Sequence, residues 1–155
     1  MIEQVIAQLM QHQLTLGSVE SVTGGAFASQ CVQIPGASSW FKGSLVTYQM
    51  TAKHEWLDMP LSLPSKHGLV SETATALMLK NGLRKLGVDI LVVSTGSAGP
   101  TAEMHSSVGD VYLGVANQTK SLIRSYFFTG NREAIRDQSV GAMIALLNEF
   151  LHTYY

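Results

Sequence analysis

The segment that most limits the fold is VDILVVSTG, residues 88–96, an almost unbroken apolar run of strand length. A strand with one wet face alternates apolar and polar residues, whereas a run that is apolar at nearly every position needs cover on both faces. Helical and strand periods alternate along the rest of the chain and can supply that cover. Ile2, Val5, Ile6 and Leu9 recur at helical spacing, which predicts a first helix ending near Gln13. LTLGSVESVTGG reads as a strand entering a glycine turn, and GGAFASQCVQIPG as a helix stopped by Pro35 and Gly36. WFKGSLVTYQ is a further strand, and TAKHEWLDM a short helix before Pro60 and Pro64 interrupt it. SETATALMLKNGLRKLG is the clearest helix, with Ser71 at its N-cap, Glu72 in its first turn and Gly87 at its end. DVYLGVAN and KSLIRSYFF form a hairpin around Asn117–Lys120, and NREAIRDQSVGAMIALLNEFLH closes the chain as a long helix. This order predicts one α/β domain over residues 1–155, with three α/β/α layers around a mixed, largely parallel sheet.

Composition narrows the function. The net charge is −1 over 155 residues and the basic residues are scattered, which leaves no face suited to nucleic acid. Cys31 is the single cysteine, so neither a disulfide framework nor a thiolate metal site is available within the chain. The five histidines lie in separate segments without ligand spacing, and no metal is expected. The opening residues lack a signal-peptide pattern, and no apolar run has the length of a membrane span; a soluble, cytoplasmic protein is expected.

In such sheets ligands gather at loops beyond the strand ends, where helix N-termini offer free N–H groups. Three loops have that character: ESVTGG, GASSWF and TGSAGP. In the first, Thr23, Gly24 and Gly25 either bring backbone amides to an anion or form a tight turn, and Glu20 either orients a base or caps the next helix. The same choice holds for Gly96 and Gly99 in the third. Arg132 and Arg136, one helical turn apart, either grip a phosphate or carboxylate as a fork or pair with nearby acids. In GASSWFKGSLVTYQMTAK, residues 36–53, Ser38 precedes a strand while Tyr48 and Lys53 follow it. If the chain bends back, a lysine held neutral by burial can activate a serine hydroxyl; otherwise Ser38 caps, Tyr48 packs and Lys53 is solvated.

ESVTGG, GASSWFKGSLVTYQMTAK, HGLVSE, STGSAGP, VGDVYLGVA and FFTGNREAIRDQS follow one another in an order and spacing that resembles the CinA C-terminal domain family, over nearly the whole chain. That family includes stand-alone nicotinamide-nucleotide amidases. The resemblance implies hydrolysis of the carboxamide of nicotinamide mononucleotide, with Ser38 as nucleophile, Lys53 as base and Tyr48 assisting, and with no cofactor. It implies a small-molecule nucleotide as ligand, held by Glu20, Ser21, Thr23, Gly24, Gly25, Gly96, Gly99, Arg132 and Arg136, and a homo-oligomeric assembly without nucleic-acid or membrane partners. The pyridinium charge of such a substrate helps keep Lys53 unprotonated.

Departures from the family pattern point the other way. Met50 replaces an asparagine and puts a thioether beside the expected site. The loop GPTAEMHSSVG lacks the paired glycines and the Lys-Pro of the common pattern, while Val22 and Ala37 are milder changes. The alternative they support is a catalytically weakened relative that acts as a nucleotide-binding or interaction module.

Overall fold

The computed structural model describes Met1–Tyr155. Its elements are α1 (Ile2–Gln11), β1 (Leu16–Glu20), α2 (Ala26–Val32), β2 (Phe41–Val46), α3 (Met50–Leu57), α4 (Leu63–Lys66), α5 (Glu72–Leu86), β3 (Ile90–Gly96), β4 (Asp110–Ala116), β5 (Ser121–Phe127) and α6 (Arg132–Tyr154). A short 3-10 turn, Ala37–Ser39, precedes β2. The five strands form one sheet in the order β2-β1-β3-β4-β5. β2, β1 and β3 run parallel, and β3, β4 and β5 antiparallel, so the sheet is mixed, with equal numbers of the two ladder types.

The uniformly apolar run has the position its composition requires. β3 is the central strand, and its successive side chains alternate between two separate cores: Ile90 and Val92 pack on the α1, α2 and α6 side, Leu91 and Val93 on the α3, α4 and α5 side. α5 approaches the second face closely because residue 82 is glycine; a Cβ there would stand 2.6 Å from Leu91 Cδ2 and 2.9 Å from Val19 Cγ2. Ser71 caps α5 by accepting the Ala74 N–H, and Asn131 does the same for α6 through Ala134. The short α4 was not expected from a segment holding Pro60 and Pro64, but Pro64 lies in its first turn, where a missing N–H costs nothing. No helix is long and apolar enough to cross a membrane.

Register then decides which loops can meet. Glu20 at the end of β1 pairs with Val46 at the end of β2 and with Ser94 in β3, so the C-terminal ends of these three strands share one edge of the sheet. β5 ends at the same edge, where Phe127 pairs with Asp110, and it delivers the N-terminus of α6 there. The turn holding Ser38 enters β2 from the opposite edge, beside Leu16 at the start of β1, whose N–H donates to the Trp40 carbonyl.

Candidate active site

At the shared C-terminal edge a small, mostly polar pocket of about 100 Å³ opens between Ser21, Val22, Tyr48, Lys53, the Thr95–Gly99 segment and Arg132. Lys53 is its floor. It lies in α3, is 1% exposed, and its Nζ stands 2.9 Å from Ser21 Oγ, 2.6 Å from the Thr47 carbonyl oxygen and 3.3 Å from that of Tyr48. Burial lowers the amine from the ordinary lysine value to about 8, against the pull of the Glu103 carboxylate, which favours the ammonium form. In the ammonium form Nζ donates to all three oxygens. In the neutral form two N–H groups remain on the carbonyls and the lone pair faces Ser21, whose hydroxyl becomes the donor.

Ser21 is held just as firmly. It directly follows β1, its N–H donates to the Ser94 carbonyl, and its own carbonyl accepts the Gly24 N–H. The turn after it is organised by Glu20, which is fully buried. One carboxylate oxygen accepts the Gly25 and Phe27 N–H groups and the Thr23 hydroxyl, and the other accepts the Ala28 N–H. Four donors at the start of α2 thus converge on one carboxylate, which offsets its desolvation. Gly25 takes φ +95° to permit the arrangement, a conformation that strains any residue with a Cβ. Arg136 closes the turn from outside, its Nε donating to the Val22 carbonyl and its Nη2 to that of Thr23.

The expected residues therefore divide. Ser21, Tyr48, Lys53, Gly96, Gly99 and Arg132 line the pocket. Glu20, Thr23, Gly24, Gly25 and Arg136 do not; they build the turn that presents Ser21, with Glu20 as its cap and Thr23, Gly24 and Gly25 as a tight turn, while Arg136 pairs with carbonyls and not with nearby acids. The two arginines form no fork, because Arg136 is engaged with the turn while Arg132 donates from Nη1 to the Gly99 carbonyl at 2.6 Å and from Nη2 to the Tyr48 hydroxyl at 2.7 Å.

Ser38 requires a correction. It is exposed in the turn before β2, where it lines a separate hollow with Lys42 and Phe41. Tyr48 and Lys53 follow the same strand, and the six residues of β2 put roughly 20 Å between its two ends. A strand cannot bend back on itself, so Ser38 does not reach Lys53. The serine that does was expected to contact substrate and not to react; its signal was a position directly after a strand parallel to the one that delivers the lysine. Met50 is also displaced from its expected place: it packs against the α5-side core and does not line the pocket. Cys31 is core, and burial pushes its thiol up to about 12, with Glu20 adding to the effect.

A model of the CinA C-terminal domain matches residues 1–151. A CinA-like protein of Geotalea uraniireducens is 43% identical over 141 residues, covering 87% of this chain and 33% of that protein. A competence-damage inducible protein of Oceanobacillus iheyensis is 34% identical over 148 residues, 95% of this chain and 36% of that one. The chain thus spans about a third of the length of these curated relatives. A CinA superfamily protein of Klebsiella pneumoniae, whose crystal structure covers 97% of this chain and 95% of its own, superposes with a TM-score of 0.92 at 27% identity.

Proposed function

The chain belongs to the CinA C-terminal domain family, and on that premise we propose that it hydrolyses the carboxamide of nicotinamide mononucleotide to the carboxylate and ammonia, with Ser21 as nucleophile and Lys53 as base. The observation that carries this reading is the 2.9 Å contact between Lys53 Nζ and Ser21 Oγ on the floor of the pocket. A serine hydroxyl is a weak nucleophile until a neighbouring base takes its proton, and a lysine serves as that base only when a desolvated site keeps it neutral. Burial lowers Lys53 toward that form, to about 8, and Ser21 is the hydroxyl beside it.

In the proposed cycle Lys53 removes the Ser21 proton as Oγ bonds to the amide carbon, leaving a tetrahedral oxyanion. The Val22 N–H, on the residue after the nucleophile, and the Ala98 and Gly99 N–H groups on the same pocket make no hydrogen bond within the protein and are free to receive that charge. Collapse breaks the C–N bond, the departing nitrogen takes the proton that Lys53 removed from Ser21 and leaves as ammonia, Lys53 returns to its neutral form, and Oγ retains the acyl group. Tyr48 accepts a hydrogen bond from Arg132, so its phenolic hydroxyl is free to relay that proton, giving its own to the leaving nitrogen and taking the one held by Lys53. Lys53 then deprotonates a water that cleaves the ester and returns the proton to Ser21.

Pocket size supports a head-group reaction. About 100 Å³ admits roughly three waters at about 30 Å³ each, far below the ~300 Å³ at which whole-ligand pockets begin. A carboxamide and the adjoining ring edge fit; ribose and phosphate stay outside, where Arg132 retains unused N–H donors for the anion.

The test is ammonia release from nicotinamide mononucleotide by the wild type and by Ser21→Ala, Lys53→Ala and Ser38→Ala variants. Release that is lost in the first two and retained in the third is expected. Release that survives Ser21→Ala sinks the assignment, and nucleotide binding with no release by the wild type makes the protein a binder.

A further inference from the structure

Three charged side chains line the pocket: Lys53, Arg132 and Glu103. The first two are engaged, Lys53 with the Ser21 hydroxyl and two carbonyls, Arg132 with Tyr48 and the Gly99 carbonyl. Glu103 differs from both. Its main chain is fixed: the N–H donates to Ser97 Oγ at 2.9 Å, and the carbonyl accepts from Ser106 Oγ at 2.9 Å, with the two serine hydroxyls 2.7 Å apart. Glu103 is exposed at the pocket rim, and its carboxylate has neither a hydrogen bond nor an ion pair within the protein, although Arg132 lines the same small pocket.

An exposed, unpartnered carboxylate on an anchored stretch of backbone at the rim of the pocket is suited to a cation. Its present effect on Lys53 runs against catalysis, since a negative charge favours the ammonium form of the base. A cation seated against the carboxylate would cancel that effect when substrate arrives.

We propose that Glu103 is the specificity-determining residue of this pocket and selects amides whose ring carries a positive charge. This rests on the amidase reading for the place of the amide, but not for turnover.

The experiment is an NMR titration of the whole chain with 1-methyl-3-carbamoylpyridinium and with its uncharged isostere, 3-methylbenzamide, for the wild type and Glu103→Gln. The wild type is expected to bind the cation about fivefold more tightly, in line with an exposed charge pair. That preference disappears in Glu103→Gln while affinity for 3-methylbenzamide is unchanged, and it shrinks in high salt. A preference of the same size in the variant, or none in the wild type, overturns the proposal. Because binding is read without turnover, a protein that shows this preference but releases no ammonia breaks the amidase reading and leaves the role of Glu103 standing.

Discussion

At the N-terminal edge of β2, Ser38 and Lys42 line an open hollow; at the C-terminal edge of the same strand pair, Ser21 and Lys53 line an enclosed pocket. Each edge holds a serine, a lysine and a glycine turn, and a residue inventory would not separate them. Solvent does. Lys42 is exposed and spends its ammonium group on the Gly87 carbonyl, 3.1 Å away, while Ser38 has no base beside it. Lys53 is surrounded by the ends of three strands, loses its hydration and is lowered to about 8. The same pair of residue types is solvated in one environment and desolvated in the other, and desolvation, not proximity alone, is what lowers a lysine toward its neutral form.

The contrast is broken most severely by removing either member of the buried pair. Ser21→Ala or Lys53→Met should lower kcat/KM by at least about a thousandfold, since a nucleophile and its base act as a unit. Lys53→Met should leave the fold intact, as an apolar side chain of similar length removes a desolvated amine. Next in size is the turn that presents Ser21. Glu20→Gln replaces an acceptor of several N–H groups with an amide that cannot accept them all, and should cost about 2 kcal/mol, read as a melting temperature lower by roughly 6 °C.

The pH profile sharpens the comparison without mutation. Lys53 must be neutral to accept a proton, so protonation below its value of about 8 removes activity, and kcat/KM should climb with pH and level off above it. The slope on the acid side is about tenfold per pH unit. A profile flat from pH 6 to 10, about two units either side of that value, would show that Lys53 is not the base. Tyr48→Phe should reduce kcat by about tenfold and leave KM near its wild-type value, the signature of a proton donor that acts on the leaving group. At the other edge, Ser38→Ala and Lys42→Ala should change activity by less than about twofold and stability by less than about 0.5 kcal/mol. A large loss from Ser38→Ala would restore the rejected serine.

Much of this was readable in one dimension. The buried run at 88–96 required a covered central strand, and β3 is that strand. The helix boundaries at Ser71 and Asn131 and the turn at Asn117 followed from local rules, because caps, turns and periodicity are interactions between near neighbours. Tyr48, Lys53, Gly96, Gly99 and Arg132 were placed at the site by their motifs, and the pocket gathers them.

The sequence by itself could not say which serine belongs to Lys53. Ser38 is the nearer of the two along the chain, and Ser21 lies 32 positions away. Parallel pairing reverses that order: register aligns the ends of β1 and β2, so residues that follow two different strands become neighbours, while residues at the two ends of one strand are held apart by its length. Nor could sequence distinguish the two arginines of α6, identical in type and a turn apart, until packing gave Arg136 to the Ser21 turn and left Arg132 at the pocket. Local propensity determined the elements; the tertiary structure decided the chemistry, because only long-range register sets which groups meet and only burial sets which of them are deprived of water.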